Sequence, residues 1–283
     1  MVKSVLIIAG MHRSGTSLVA QWLHRCGLHI GDDFLGPSVG NAEGHFEDRD
    51  FVRLHEEILT SKSLPHSGLT DHLLPLLSIE EENKIKEVIE SKNGVENQWG
   101  WKDPRTCLFL PVYRRLLPQA YCLVILRDYT SSVSSLIHRT FMHAERKYTA
   151  RSRFAAWLWK WVRKKRWQKY LYKKFSEPYL KVWIRYNEEL INYLKLTAES
   201  NHLVVHYEDL NKNDLELFAH FTNNWQLNLH YTPFSQIFKK GLLNKPVAIE
   251  PYIRNKHLLL KADALMNELE LFRQKQVWMR SAV

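Results

Sequence analysis

The run Ala9-Gly10-Met11-His12-Arg13-Ser14-Gly15-Thr16-Ser17 gathers two glycines, an arginine and three hydroxyls within nine residues. A glycine turn that closes a strand and opens a helix aims successive backbone N–H groups, and the positive helix end, at an anion. Phosphate or sulfate is the natural guest. The Walker loop of nucleotide hydrolases needs Lys and Ser/Thr directly after its second glycine, for terminal phosphates and Mg²⁺. Here Thr16 and Ser17 follow Gly15, and the basic residue, Arg13, lies inside the loop. Asp128 is the one Walker-B-like acid, and Arg127 precedes it.

Three further groups of residues carry chemistry. Arg127 stands directly before Asp128 and, taken alone, reads as a surface ion-pair partner of that acid, although its forked guanidinium also suits a phosphate. Lys102-Asp103-Pro104-Arg105 concentrates charge in four residues, with Arg105 either adding charge or bracing the loop. Gly40-Asn41-Ala42-Glu43-Gly44-His45-Phe46-Glu47-Asp48 offers several proton acceptors, and the candidates for a base lie among them.

These residues need elements to hold them. Val5 to Ala9 is a continuous apolar run bounded by Gly10, the pattern of a parallel strand covered on both faces. Leu18, Val19, Trp22 and Leu23 predict a helix from Thr16 to Cys26, stopped by Gly27. Tyr121 to Leu126 and Leu203 to Tyr207 predict two more buried strands. Helices are predicted at Phe51–Leu59, Ile79–Ser91, before Leu117, at Ser131–Arg139, at Val182–Leu196 and near the C-terminus around Leu258–Phe272. Arg127 then stands at a strand's carboxyl end, on the rim that holds the glycine loop, where open parallel sheets bind ligands.

Taken in order, these motifs resemble the sulfotransferase family that uses 3′-phosphoadenosine 5′-phosphosulfate (PAPS), above all its tyrosylprotein and bacterial branches, where Arg stands in the loop. The likeness runs from Val5 to about Leu210. It implies an α/β, three-layer fold like that of P-loop NTPases, with a central, mostly parallel sheet flanked by helices. It also implies transfer of a sulfuryl group from PAPS to a hydroxyl on a glycan, glycolipid or small molecule, releasing 3′-phosphoadenosine 5′-phosphate (PAP), with no metal. By that resemblance Arg13, Ser14, Gly15, Thr16 and Ser17 hold the 5′-phosphosulfate, Arg13 reaching the bridging oxygen. Arg127 and Ser135 hold the 3′-phosphate, and Tyr207 contacts the adenine. Lys102 helps stabilise the transferring group, and Glu47 is the position most similar to the family's base, with His45 second. Where many cytosolic members close the cofactor with Arg-Lys-Gly, this chain has only Lys239-Lys240-Gly241. An ATP-dependent small-molecule kinase and a basic nucleic-acid-binding module are the alternatives. The missing Lys after Gly15 counts against the first.

At 283 residues and 45% hydrophobic content, the chain suits one domain spanning residues 1–283, with a basic aromatic helical insertion at about 145–180. The formal charge of +10 favours anionic ligands. Cys26, Cys107 and Cys122 are odd in number and sit in apolar runs, so buried thiols in a reducing compartment are expected. No apolar run approaches the roughly 18 residues that span a bilayer, and the expected location is cytoplasmic or peripheral to a membrane. Residues 154–175 interleave Trp157, Trp159, Trp161 and Trp167 with Lys160, Arg163, Lys164, Lys165 and Arg166. Beyond an ordinary half-packed helix, this composition fits contact with a membrane interface or acidic glycan better than nucleic acid, which is not expected to bind.

Overall fold

The structure, a computed structural model, describes residues 3–36, 44–206, 208–238 and 245–276. Strands β1 (Ser4–Ala9), β2 (Gln98–Lys102), β3 (Tyr121–Leu126) and β4 (His202–His206) form one sheet in the order β2-β1-β3-β4. Every pairing is parallel. Alternation along each strand splits the apolar residues between two cores. Val5, Ile7 and Ala9 of β1, with Cys122, Val124 and Leu126 of β3, enter one core. Leu6, Ile8, Leu123 and Ile125 enter the other. This two-sided burial is why β1 and β3 read as unbroken apolar runs.

Helix α1 (Thr16–Arg25) covers the second face, and α2 (Arg49–Ser61), α3 (Ile79–Val95), α4 (Thr106–Leu116) and α5 (Tyr129–Thr149) belong to the first, with the short α6 (Arg153–Leu158) beside α5. After one π turn at Trp159–Arg163, α7 runs 33 residues from Lys164 to Leu196. The chain then adds α8 (Leu210–Asn223) on the α1 side and α9 (Lys256–Gln274) on the α7 side. The result is the three-layer α/β arrangement expected. Cys26, Cys107 and Cys122 are free and buried.

Two sequence expectations need correction. The basic aromatic segment from Lys164 onward and the helix placed at Val182–Leu196 belong to one continuous helix, α7, which passes through Pro178. Leu171, Tyr172, Leu180, Trp183, Tyr186 and Leu190 are buried along it, and that packing outweighs the backbone bond lost at the proline. Helix α5 likewise extends well past Arg139 to Thr149.

Strand β2 was not anticipated, because Gln-Trp-Gly-Trp-Lys contains no β-branched residue and carries a central glycine. Tertiary packing makes it a strand. Trp101 stacks on Phe51 of α2 with ring centroids 4.4 Å apart and planes within 2°, and its Nε1 donates to Thr106 Oγ1 at 3.0 Å. Gly100 pairs with Leu6, and a Cβ there would stand 2.3 Å from the Leu6 carbonyl oxygen. The glycine therefore sets how closely β2 lies on β1. Gly100→Ala should lower stability by about 2 kcal/mol in urea titration, the cost of overpacking against fixed backbone. A change below about 0.5 kcal/mol would show that β2 is free to shift.

Candidate functional site

The carboxyl edge of the sheet collects the residues that the sequence singled out. Lys102 ends β2 opposite Ile8, the glycine loop follows Ala9 of β1, and Arg127 follows Leu126 of β3. The loop folds tightly because Ser14 uses both its N–H and its Oγ on the Met11 carbonyl, at 3.1 and 2.7 Å. A Cβ on Gly10 would lie 2.7 Å from Ser14 Oγ and 2.8 Å from the Ile125 carbonyl, so only glycine fits there. Gly15, the N-cap of α1, has φ 100°. Arg13 itself has φ 70°, an unfavourable setting for a side-chain-bearing residue that persists only where contacts enforce it.

Those contacts come from the far motif. Arg127 Nη1 donates to the Arg13 carbonyl at 2.7 Å, and Arg13 Nε donates to Ser135 Oγ at 3.0 Å. The structure thus joins loop and Arg127–Ser135 pair directly. Asp128 serves α5 instead, its Oδ1 capping the helix by accepting from the Ser131 N–H at 2.7 Å. Trp183 of α7 donates to the Arg127 carbonyl at 3.2 Å.

One member of the site escaped the sequence reading. Arg139 lies one turn beyond Ser135, and positions four apart share a helix face. That spacing was the available signal. Burial, followed by the nearby charges of Arg139 and Arg127, pushes the Arg13 guanidinium down to about 10. Burial lowers Arg139 as well. Neither Arg13 nor Arg139 has a carboxylate ion-pair partner among the described residues. Half-buried cations without an ion-pair partner carry a desolvation cost, so this concentration is complementary to an anion.

Lys102 connects the loop to the candidate bases. Its Nζ, buried at the sheet edge, donates to Ser17 Oγ at 3.0 Å and to Glu47 Oε1 at 2.6 Å. Burial pushes Lys102 down from the ordinary lysine range, and Glu47 opposes that shift. The neighbouring strand therefore supplies the cation that a Walker loop carries in its own sequence. Glu47 is buried, its other oxygen 3.8 Å from Arg105 Nη2, and His45 Nδ1 lies 3.9 Å from Glu47 Oε1. Burial lowers His45, with the Glu47 charge acting against it, which leaves a largely neutral imidazole near pH 7.

The rest of the Lys102-Asp103-Pro104-Arg105 segment braces the site. Arg105 Nε donates to both Asp103 oxygens at 2.9 and 3.0 Å, and its Nη1 reaches Glu56 of α2 at 2.5 Å. Asp103 Oδ2 also lies 2.7 Å from His55 Nδ1, and His55 Nε2 is 2.8 Å from the Tyr113 hydroxyl. Burial alone would raise Asp103, but Arg105 and His55 hold it well below the usual carboxylate range. His55 and Tyr113 lock α2, α4 and the end of β2 together. No local pattern announced them, since they come from separate helices.

Asp48 caps α2 and pairs with Lys92 at 2.7 Å, which removes it from the candidate bases. Tyr207, Gly40 to Glu43 and Lys239-Lys240-Gly241 lie outside the described residues. Past Tyr207, Asp209 forms a two-pronged ion pair with Arg273 of α9, both contacts at 2.9 Å. Near the start of α5, Ser134 Oγ accepts from the Val247 N–H at 2.9 Å and Thr130 Oγ1 donates to Glu250 at 2.8 Å.

His12 was also missed. It is half-buried, its ring against Tyr186, and desolvation, then the charges of Arg139 and Arg105, lowers it to about 3. The unfolded chain therefore binds one more proton than the native state between pH 6.5 and about 3, so stability falls as pH drops through that window. Urea titrations at pH 7 and pH 4.5 should show the native protein losing about 2.7 kcal/mol more than His12→Gln, from the two-unit window at 1.36 kcal/mol per unit. Equal losses would mean that His12 is solvated. A second test concerns the ion pair: Lys102→Met should cost about 3 kcal/mol by leaving Glu47 buried and under-compensated, and Lys102→Met with Glu47→Gln should recover over half of it. Additive costs in that cycle would show the two groups to be uncoupled.

By sequence, no family model and no curated protein matches the chain. Solved structures similar to it include a sulfotransferase from Mycobacterium tuberculosis H37Rv, 14% identical, covering 93% of this chain and 77% of that one with a TM-score of 0.49. The sulfotransferase domain of the Synechococcus PCC 7002 olefin synthase is 14% identical, covers 93% of each chain and has a TM-score of 0.47. A sulfotransferase from Alicyclobacillus acidocaldarius is 13% identical, covers 97% of this chain and 98% of that one, with a TM-score of 0.46.

Proposed function

We propose that this protein transfers a sulfuryl group from PAPS to an acceptor hydroxyl. The observation that carries the reading is the direct coupling of two cationic half-sites, through the Arg13–Ser135 and Arg127–Arg13 hydrogen bonds. A single terminal phosphate does not need both halves. A nucleotide phosphorylated at its 5′ and 3′ positions does.

The residues present fit such a ligand. Gly10 keeps the turn free of a side chain, Thr16 and Ser17 open α1 with its positive end toward the loop, and Arg13 and Arg139 bring positive charge held in no ion pair among the described residues. In this reading the loop and Ser17 hold the 5′-phosphate, and Arg127 with Ser135 holds the 3′-phosphate. Arg13 and Lys102 place positive charge against the leaving oxygen and the transferring group, where sulfuryl transfer, like phosphoryl transfer, needs it. The acceptor oxygen forms the new bond to sulfur, the bond from sulfur to the bridging phosphate oxygen breaks, and Glu47 takes the acceptor's proton. Glu47 becomes available when Lys102 turns from it toward the sulfuryl oxygens. His45, close to Glu47 and largely neutral, is the second choice of base.

Calorimetry with PAP, AMP and ATP tests the reading. PAP should bind at least tenfold more tightly than AMP, and Arg127→Ala or Arg139→Ala should remove at least tenfold of PAP affinity, each losing a charge-assisted contact. Equal binding of PAP and AMP, or a Mg²⁺-dependent preference for ATP, would overturn it in favour of the kinase. Glu47→Gln should abolish turnover while preserving PAP affinity, whereas Arg13→Ala should lose both. An active Glu47→Gln enzyme would move the base to His45.

A further inference from the structure

The positive charge of this protein is concentrated in one stretch. Residues 146–176 hold twelve Lys and Arg and no Asp or Glu, while the remaining 28 Lys and Arg face 30 Asp and Glu. Everything outside this stretch is therefore close to neutral. Of the twelve, Lys164 alone has an ion-pair partner among the described residues, Glu145 at 2.9 Å.

The same stretch exposes large apolar side chains. Phe154, Trp157 and Trp161 are 70%, 55% and 69% exposed, and their spacing of three and then four residues puts them on one helix face. Trp159, between them in sequence, turns inward: it is buried against Phe141 and Tyr148, and its Nε1 donates to Glu145 at 2.9 Å. Lys160 sits over the Trp161 ring at 5.5 Å, its charge beside the apolar face. Val162 and Tyr170 are also exposed, and both line a cavity of about 430 Å³ walled by Tyr148, Trp159 and Trp167 with Arg163. Exposed rings and a cavity thus lie within one short stretch of chain that is rich in cations.

We propose that this surface docks the protein on an anionic lipid bilayer, with Phe154, Trp157 and Trp161 entering the headgroup region and Lys160, Arg163, Lys165 and Arg166 facing acidic headgroups. Three observations select that occupant. Exposed indoles bordered by Lys and Arg are the composition of helices that lie in the interface plane. Val162 is aliphatic and 45% exposed, and it offers neither a stacking face to a base nor a polar group to a glycan. A second copy of the chain would set twelve cations against twelve. No described helix is long and apolar enough to cross a membrane, so the contact is peripheral. Helix α5 separates this surface from the anion site: Tyr148 lies thirteen residues beyond Ser135, about 20 Å along the axis. The docking proposal therefore stands apart from the sulfuryl-transfer reading.

Co-sedimentation tests it with phosphatidylcholine vesicles, pure or with about 30% phosphatidylglycerol. The protein should bind the acidic vesicles at least tenfold more tightly, with a blue shift of its tryptophan emission. Trp157→Ser with Trp161→Ser should weaken that binding at least tenfold and remove the shift, and Lys160→Ser with Lys165→Ser should weaken it by roughly 30-fold. Both variants change exposed side chains, and thermal melts within about 2 °C of the parent will show that they fold. Equal binding to neutral and acidic vesicles would overturn the proposal. So would undiminished binding by the Trp variant, or tighter capture by single-stranded oligonucleotide or heparin that the Trp variant shares.

Discussion

The site depends on a backbone setting that Arg13 would not adopt alone. Its left-handed conformation aims the carbonyl at Arg127 and the guanidinium at Ser135, and these two bonds in turn hold the conformation. Neither motif is shaped without the other. The turn at Gly10 needs the Ile125 carbonyl close by, so β3 forms part of the loop's wall. The glycine loop is therefore one side of a cleft whose other side is the β3–α5 junction.

Around that cleft the polar groups fall into two networks with different duties. His55, Tyr113, Asp103, Arg105 and Glu56 satisfy one another and tie α2 and α4 to the end of β2. Lys102, Glu47 and Ser17 form a chain that faces the loop. The first network fixes the geometry within which the second can exchange partners. Arg13 and Arg139, lacking carboxylates, tip the cleft toward positive charge.

Sequence periodicity made β1, β3 and β4 legible because each is buried on both faces or bounded by clear stops. It made the glycine loop legible because only a strand, two glycines and a helix start produce that pattern. Strand β2 was not, since its two indoles are held by Phe51 and Thr106, partners that no window around residue 100 contains. Lys102 was recognised by its tripeptide alone, and its reach to Ser17 depends on the pairing of β2 with β1. Arg139 was within reach, one turn past Ser135, but nothing local separates it from any cation on an exposed helix. In helix α7 the composition changes after the basic half though the backbone does not, so the sequence pattern shows two segments where there is one helix.

The pleat of β2 carries a consequence of its own. Trp99 and Trp101 point into the first core, while Gly100 and Lys102, paired with Leu6 and Ile8, share the opposite parity. The even positions make up a lane: glycine leaves it clear, and lysine fills its far end beside α1. Chemical identity in this protein is thus written in odd and even. Deleting Gly100 from this strand would bring lysine to the face of the indoles and an indole into the lane opposite Leu6, with scarcely a change in composition.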